Sequence, residues 1–294
     1  MMQKGLVTIN GVPTYVATWG GWIEDNLQNY SDLVLCISGN PGVTGFYYEF
    51  LETVNSDLNI PVWIVSHAGH EVSRTVTVPK LQCNQYLYDL RGQINHKVEF
   101  IKKYVPRHVN LHLVGHSIGC KIILELLKDP SINSQVKKCY MLFPTVERMA
   151  VSPNGKFFTG IIKYIIPVIL LLSWIFTLFP SSVKKILLNS YFFIHGTKGN
   201  VTRAAIKLIN PTALRNVFFL ALDEMDHVKE LDHKFFFYYG TTDGWVPVKY
   251  YEDLKKDHPD VEAITCPYGY KHAFVLNSAK DVGSLVSKWI KSSK

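Results

Sequence analysis

Short apolar blocks punctuated by turn residues recur along most of this chain. They predict strands at Leu6 to Asn10 with Pro13 to Trp19, then at Asp32 to Ser38, Pro61 to Ser66, Asn110 to Gly115, Lys138 to Phe143, Lys234 to Tyr239 and Val261 to Cys266. Helical spacing of apolar positions falls between several of them, at Tyr47 to Asp57, Leu81 to Val105, Cys120 to Lys128, Tyr250 to Lys256 and Lys280 to Ser292. Strands alternating with helices predict an α/β protein with a mainly parallel sheet, helices on both faces and an antiparallel edge formed by the first strands. Neither an internal repeat nor a low-complexity segment is present.

The alternation breaks between Thr145 and about Asn216. Here Phe157 to Pro180 is apolar on every side instead of amphipathic, and Tyr164 to Val183 carries no charge. That stretch has about the ~20 residues a membrane-spanning helix needs. Pro167 and Pro180, however, bracket a segment that reaches only ~18 Å at ~1.5 Å per residue, short of a ~30 Å hydrocarbon core. The chain thus divides into a core at 1–144 and 217–294 and a hydrophobic insertion at 145–216.

Chemistry enters at Gly115-His116-Ser117-Ile118-Gly119, a G-x-S-x-G run between a predicted strand and a predicted helix. This is the context of a nucleophile elbow, where Gly115 and Gly119 leave room for a tight turn and the Ser117 hydroxyl stands at the positive end of the next helix. The run Phe235 to Pro247 reads as a buried strand that delivers Asp243 into a loop, and Tyr270-Lys271-His272-Ala273-Phe274 presents a histidine before the last helix. The order serine, aspartate, histidine is that of the α/β-hydrolase fold. A serine hydroxyl is a weak nucleophile at neutral pH, so His272 is the expected proton acceptor and Asp243 the group that fixes its tautomer. The loop Gly39-Asn40-Pro41-Gly42 follows a strand where this fold supplies one oxyanion-hole donor; Pro41 has no N–H, which leaves Asn40 and Ile118 as the expected pair. Taken singly, each has a plain alternative: Asp243-Gly244 and Asn40-Pro41-Gly42 as turn formers, His272 as a surface histidine. Glu147, just after the sixth strand, is a second position for the acid; His67, His70 and His116 flank the expected pocket; Asp223 to His227 has the composition of a solvated helix face more than of a metal site.

The segments Ser38 to Gly42, Gly115 to Gly119, Tyr239 to Pro247 and Tyr270 to Phe274, with Phe143 to Met149 and Ser152 to Gly155, resemble the lipid droplet-associated hydrolase family over nearly the whole chain. Ser38-Gly39 stands, as in that family, where many α/β-hydrolases have His-Gly. The resemblance implies a serine hydrolase of lipid esters, sterol esters or acylglycerols, on the cytosolic face of lipid droplets and the endoplasmic reticulum. Serine in the elbow argues against dehalogenases and epoxide hydrolases of the same fold, which use aspartate there. No cofactor or metal is implied, and no particular protein partner.

The 294 residues are 47% hydrophobic, enough for one large domain with an insertion. A formal charge of +7 suits an anionic lipid surface or a nucleic acid, but no basic run or nucleic-acid motif supports the latter. Cys36, Cys139 and Cys266 fall in predicted buried strands, as reduced cytosolic thiols do. The start has no secretory h-region, so the sequons at Asn29 and Asn200 are expected to be unused. A single crossing by the insertion would put Ser117 on one side of a bilayer and Asp243 and His272 on the other. The insertion is therefore expected to be a monotopic hairpin or a cap helix pair, with Lys156, Lys163, Lys184 and Lys185 at the headgroups and Tyr164, Trp174 and Tyr191 at the interface. From another class, the rival expectation is a droplet-surface scaffold with a weak or idle triad.

Overall fold

The computed structural model describes residues 1–72, 76–197, 201–223 and 234–293. Eight strands form one sheet: β1 (Met2–Ile9), β2 (Val12–Trp19), β3 (Asp32–Ile37), β4 (Val62–Val65), β5 (Asn110–His116), β6 (Val136–Leu142), β7 (Phe235–Tyr239) and β8 (Glu262–Thr265). Their order is β1-β2-β4-β3-β5-β6-β7-β8. β1 pairs antiparallel with β2, and β2 with β4; every other pairing is parallel. The antiparallel edge and the parallel centre are as the sequence predicts.

Eleven helices are described: α1 (Tyr48–Leu58), α2 (Leu90–Tyr104), α3 (Ile118–Leu126), α4 (Pro130–Asn133), α5 (Pro153–Phe157), α6 (Lys163–Leu178), α7 (Ser181–Ile194), α8 (Thr202–Leu208), α9 (Pro211–Asp223), α10 (Val248–Asp257) and α11 (Ala279–Ser292). Side chains of a strand alternate between faces, so the fully buried strands feed two cores. Leu33, Leu35 and Ile37 of β3 join Phe100 of α2 and Ile122 and Ile123 of α3. On the opposite face, Val34 and Cys36 join Phe50 and Val54 of α1 and Val282 and Val286 of α11. This is a three-layer α/β/α domain, with helices α5 to α9 inserted as a hydrophobic cap between β6 and β7.

Four expectations are corrected. The helix expected over Leu81 to Val105 begins only at Leu90; Leu81–Cys83 and Gln85–Leu87 are separate 3-10 turns. Asp89 fixes that start by accepting from the Gly92 amide at 2.6 Å, and the Asp223 carboxylate accepts from the Leu90 amide at 2.7 Å. Pro167 does not end a helix. Helix α5, a π turn at Phe158–Ile162 and α6 run on as one unbroken element, Pro153–Leu178, with Pro167 inside. Its missing N–H removes one bond of the ladder and leaves the rest. At ~1.5 Å per residue this helix is long enough to cross a bilayer, so length no longer excludes a span. Lys184, expected at the headgroups, is buried and donates to the Thr177 carbonyl at 2.7 Å. Helix α9 also runs through position 216, where the insertion was expected to end. Of the run 223–227, read as a solvated helix face, only Asp223 is described, and Asn200 lies outside the described residues.

Candidate active site

The ends of parallel strands gather the predicted residues. Ser117 follows β5 and has φ +54°, ψ −124°, a conformation that costs free energy in any residue with a Cβ and is held by the elements on either side. Its amide donates to Leu142 O of β6 and its carbonyl accepts from Cys120 N, at 3.1 and 3.0 Å. The turn requires glycine two positions on: a Cβ on Gly119 would overlap the Ile37 carbonyl of β3. Asp243 sits in the loop after β7, where its Oδ1 accepts from the amides of Trp245 and Val246 at 2.8 and 3.2 Å. His272 lies in the loop after β8.

The three converge. His272 Nδ1 lies 2.6 Å from Asp243 Oδ2, and His272 Nε2 lies 2.9 Å from Ser117 Oγ. Because the carboxylate only accepts, Nδ1 carries the proton and the Nε2 lone pair faces the serine hydroxyl. Thr145 Oγ1 also approaches Ser117 Oγ, at 3.3 Å. Glu147 is engaged elsewhere, its Oε1 paired with the Arg148 guanidinium at 2.6 Å.

The loop after β3 runs beside the elbow. A Cβ on Gly39 would come within 2.9 Å of Ser117 Cβ, so only glycine permits this approach. Among the described residues, the amides of Asn40 and Ile118 have no acceptor, which leaves both N–H groups free to serve a ligand. The Asn40 side chain is engaged elsewhere, donating from Nδ2 to Val217 O of α9 at 2.9 Å and so tying this loop to the cap.

His67 and His70 are buried behind the same loop, not at its mouth. His70 Nδ1 donates to Pro41 O at 2.9 Å. Burial pushes both imidazoles well below the usual histidine range, His70 to about 3. His116 is likewise held neutral by burial, its pKa pushed down to about 3. Its Nε2 donates to the His272 carbonyl at 2.9 Å, and its Nδ1 meets Tyr47 Oη at 2.6 Å. Tyr47 carried no sequence signal as a site residue, since it reads as the first apolar position of a helix. Thr145 was equally silent, as one polar residue after a strand.

The cap closes over this arrangement. Asn154 N donates to Gly244 O at 2.9 Å, and the Phe158 ring lies between those of Trp245, in the acid loop, and Phe218, in α9. Ser117 is 8% exposed.

Comparison with known proteins places this architecture. A haloalkane dehalogenase from Agrobacterium tumefaciens has a TM-score of 0.67 at 10% identity, over 100% of this chain and 97% of that one. An epoxide hydrolase from Vigna radiata has a TM-score of 0.64 at 15% identity, over 99% and 98%. At such identities the likeness establishes the α/β-hydrolase fold alone. Proteins named lipid droplet-associated hydrolase are similar in sequence: that of Drosophila melanogaster is 43% identical, with 98% of each chain covered, and that of Homo sapiens is 30% identical, over 99% of this chain and 95% of the other. The family model described as lipid-droplet associated hydrolase matches residues 31–275. Fold, length and sequence together make this chain a member of the lipid droplet-associated hydrolase family.

Proposed function

We propose that the protein is a serine hydrolase of lipid esters that works at the surface of lipid droplets and on the cytosolic face of the endoplasmic reticulum. The observation that carries the reading is the pair of short contacts made by His272, 2.9 Å to Ser117 Oγ and 2.6 Å to Asp243 Oδ2. Ser117 Oγ attacks the ester carbonyl carbon while His272 Nε2 takes the hydroxyl proton. The carbonyl electron pair moves onto oxygen, held by the N–H groups of Asn40 and Ile118. Collapse of this intermediate expels the alcohol, which leaves with the proton from His272, and Ser117 is acylated. Water, deprotonated by His272, then releases the acid and restores the hydroxyl. Asp243 orients the imidazole and stabilises its charged form throughout. None of these steps draws on a metal or cofactor.

A lipid substrate is supported by the cap. Phe157, Tyr164, Leu171, Leu172, Trp174 and Leu178 all stand exposed on one apolar helix, the kind of surface that marks an interaction with lipid or a partner. The triad lies on both sides of the cap in sequence yet on one side in space, which argues against an odd number of crossings. Nor does α9 offer a return pass, because Asn216 Nδ2 donates to Gly69 O at 2.8 Å and Val217 O accepts from Asn40. A helix lying in one leaflet, within a cap that follows β6 and ends with α9, accommodates both facts.

The low exposure of Ser117 favours a second reading, a droplet-surface scaffold whose triad is idle. Hydrolysis of sterol esters and acylglycerols presented as emulsions, by wild type and Ser117→Ala, separates the two and names the substrate class. The enzyme reading expects release of acid from at least one class by wild type alone. Equal rates in both proteins would overturn it.

A further inference from the structure

Beside the apolar cap lies a cleft of about 460 Å³ whose lining includes Lys4 of β1, Lys185 of α7, Arg203 and Lys207 of α8, Tyr48 of α1 and Glu71. Among the described residues that line it, the one carboxylate is already satisfied. Glu71 Oε1 pairs with Lys207 Nζ at 2.6 Å, and Oε2 accepts from the amide and the hydroxyl of Thr44, both at 2.9 Å. Lys207 is therefore neutralised, whereas Lys4, Lys185 and Arg203 have no acidic partner among the described residues. Three uncompensated cations around one cleft repel one another, and an anion between them relieves that repulsion.

The same helix that supplies Lys185 exposes Ile186 and Leu187 immediately after it. A molecule that satisfies both features is charged at one end and apolar at the other. We infer that the cleft binds the phosphate of an anionic phospholipid headgroup while the neighbouring apolar face of α7 enters the acyl region. The inference rests on the lipid-surface reading above and adds a recognition site to it. Arg203 supplies a planar donor fork suited to phosphate, and Lys4 and Lys185 act as point charges.

Vesicle flotation tests it, with pure phosphatidylcholine against phosphatidylcholine containing about 30 mol% phosphatidic acid. Wild type is expected to bind the acidic vesicles at least ~10-fold more tightly, because each cation near such a surface contributes appreciably. The variant Lys4→Gln/Lys185→Gln/Arg203→Gln is expected to lose that gain and keep its binding to neutral vesicles. A control variant neutralising Lys103, Lys288 and Lys291, exposed on α2 and α11 of the core, is expected to retain most of it. Retention of the gain by the cleft variant, or equal losses in both variants, overturns the site. Titration with sn-glycerol 3-phosphate adds an arm: saturable binding without any gain on acidic vesicles would make the cleft a soluble phosphate site and overturn the headgroup assignment. Failure of wild type to bind either vesicle would remove the lipid-surface reading itself, whereas binding to neutral vesicles without the gain removes only the cleft.

Discussion

The Tyr47 hydroxyl and His116 Nδ1 meet at 2.6 Å, and the direction of that bond follows from its neighbours. His116 Nε2 faces the His272 carbonyl, an acceptor, so Nε2 carries the proton and Nδ1 accepts from Tyr47. Tyr47 Oη in turn accepts from Gly39 N at 2.8 Å. One buried chain of hydrogen bonds thus runs from the loop that bears Asn40 to the backbone of His272.

Removing the hydroxyl tests that connection. Tyr47→Phe keeps the ring that stands edge-on to His116 but leaves a buried amide and a buried imidazole nitrogen unsatisfied. The expected cost is about 1–3 kcal/mol of stability. Since the ends of the chain position catalytic groups, kcat should fall about 10-fold with KM little changed. Urea denaturation and steady-state kinetics on a soluble ester check both, and a KM effect alone would argue against a positioning role.

Gly119→Ala should be among the most damaging small changes in the molecule. The new methyl would occupy the space of the Ile37 carbonyl, a main-chain atom of the central strand β3 that has no rotamer to escape into. A loss of about 3 kcal/mol or failure to fold is expected, read from the denaturation midpoint or soluble yield. A variant of wild-type stability would mean that the elbow is looser than drawn.

Acid should unfold the protein early. His67, His70, His96 and His116 are buried, and desolvation, the largest cause in each, holds their pKa values down. The unfolded chain takes up protons on these residues near pH 6.5, whereas His70 and His116 in the native state resist until about pH 3. Stability therefore falls as pH drops through that window, by up to ~1.4 kcal/mol per pH unit for each histidine. Lys97, pushed down to about 7 by burial, extends the trend upward, with stability rising from pH 7 towards the ordinary lysine value. Urea midpoints at pH 5, 7 and 9 should increase in that order, and a flat series would contradict the burial of these groups.

Charge placed on the exposed cap helix should detach the protein from lipid without touching the core. Leu171 and Leu172 are 57% and 59% exposed, so Leu171→Asp/Leu172→Asp disturbs little packing. Each carboxylate, however, resists entry into hydrocarbon by roughly 2–3 kcal/mol. Droplet or vesicle binding should drop more than ~10-fold while circular dichroism and melting temperature stay within error. Undiminished binding would exclude this face as the anchor.

Much of this was legible in the sequence because strand ends carry strong punctuation. Ser117, Asp243 and His272 each leave a short apolar run at a loop, and the parallel register of β5, β7 and β8 brings those loops to one sheet edge. The early antiparallel edge was legible as two short apolar runs close together; Asn10, read as the end of the first, in fact turns the chain with Gly11, both at positive φ. Pattern reading faltered where the outcome depends on particular side chains. Pro167 looked like a terminus because proline breaks helices in general, yet here the turns on either side hold. Lys184 looked like a headgroup lysine, but its four-carbon stem folds back to cap the carbonyl of Thr177. The role of Tyr47 depends on a partner, His116 of β5, that lies 69 residues away in the chain, and no local pattern encodes it.

The central claim is that Ser117 is activated by His272, and active-site labelling reads it directly. Wild type, Ser117→Ala and His272→Ala are exposed to a fluorophosphonate in the presence of a lipid emulsion, and the adduct is located by peptide mass spectrometry. The account predicts a phosphonate on Ser117 in wild type, none at that position in Ser117→Ala, and labelling slowed at least ~100-fold in His272→Ala. Wild type that carries no adduct on Ser117, or labelling of the serine at the same rate without His272, would contradict it.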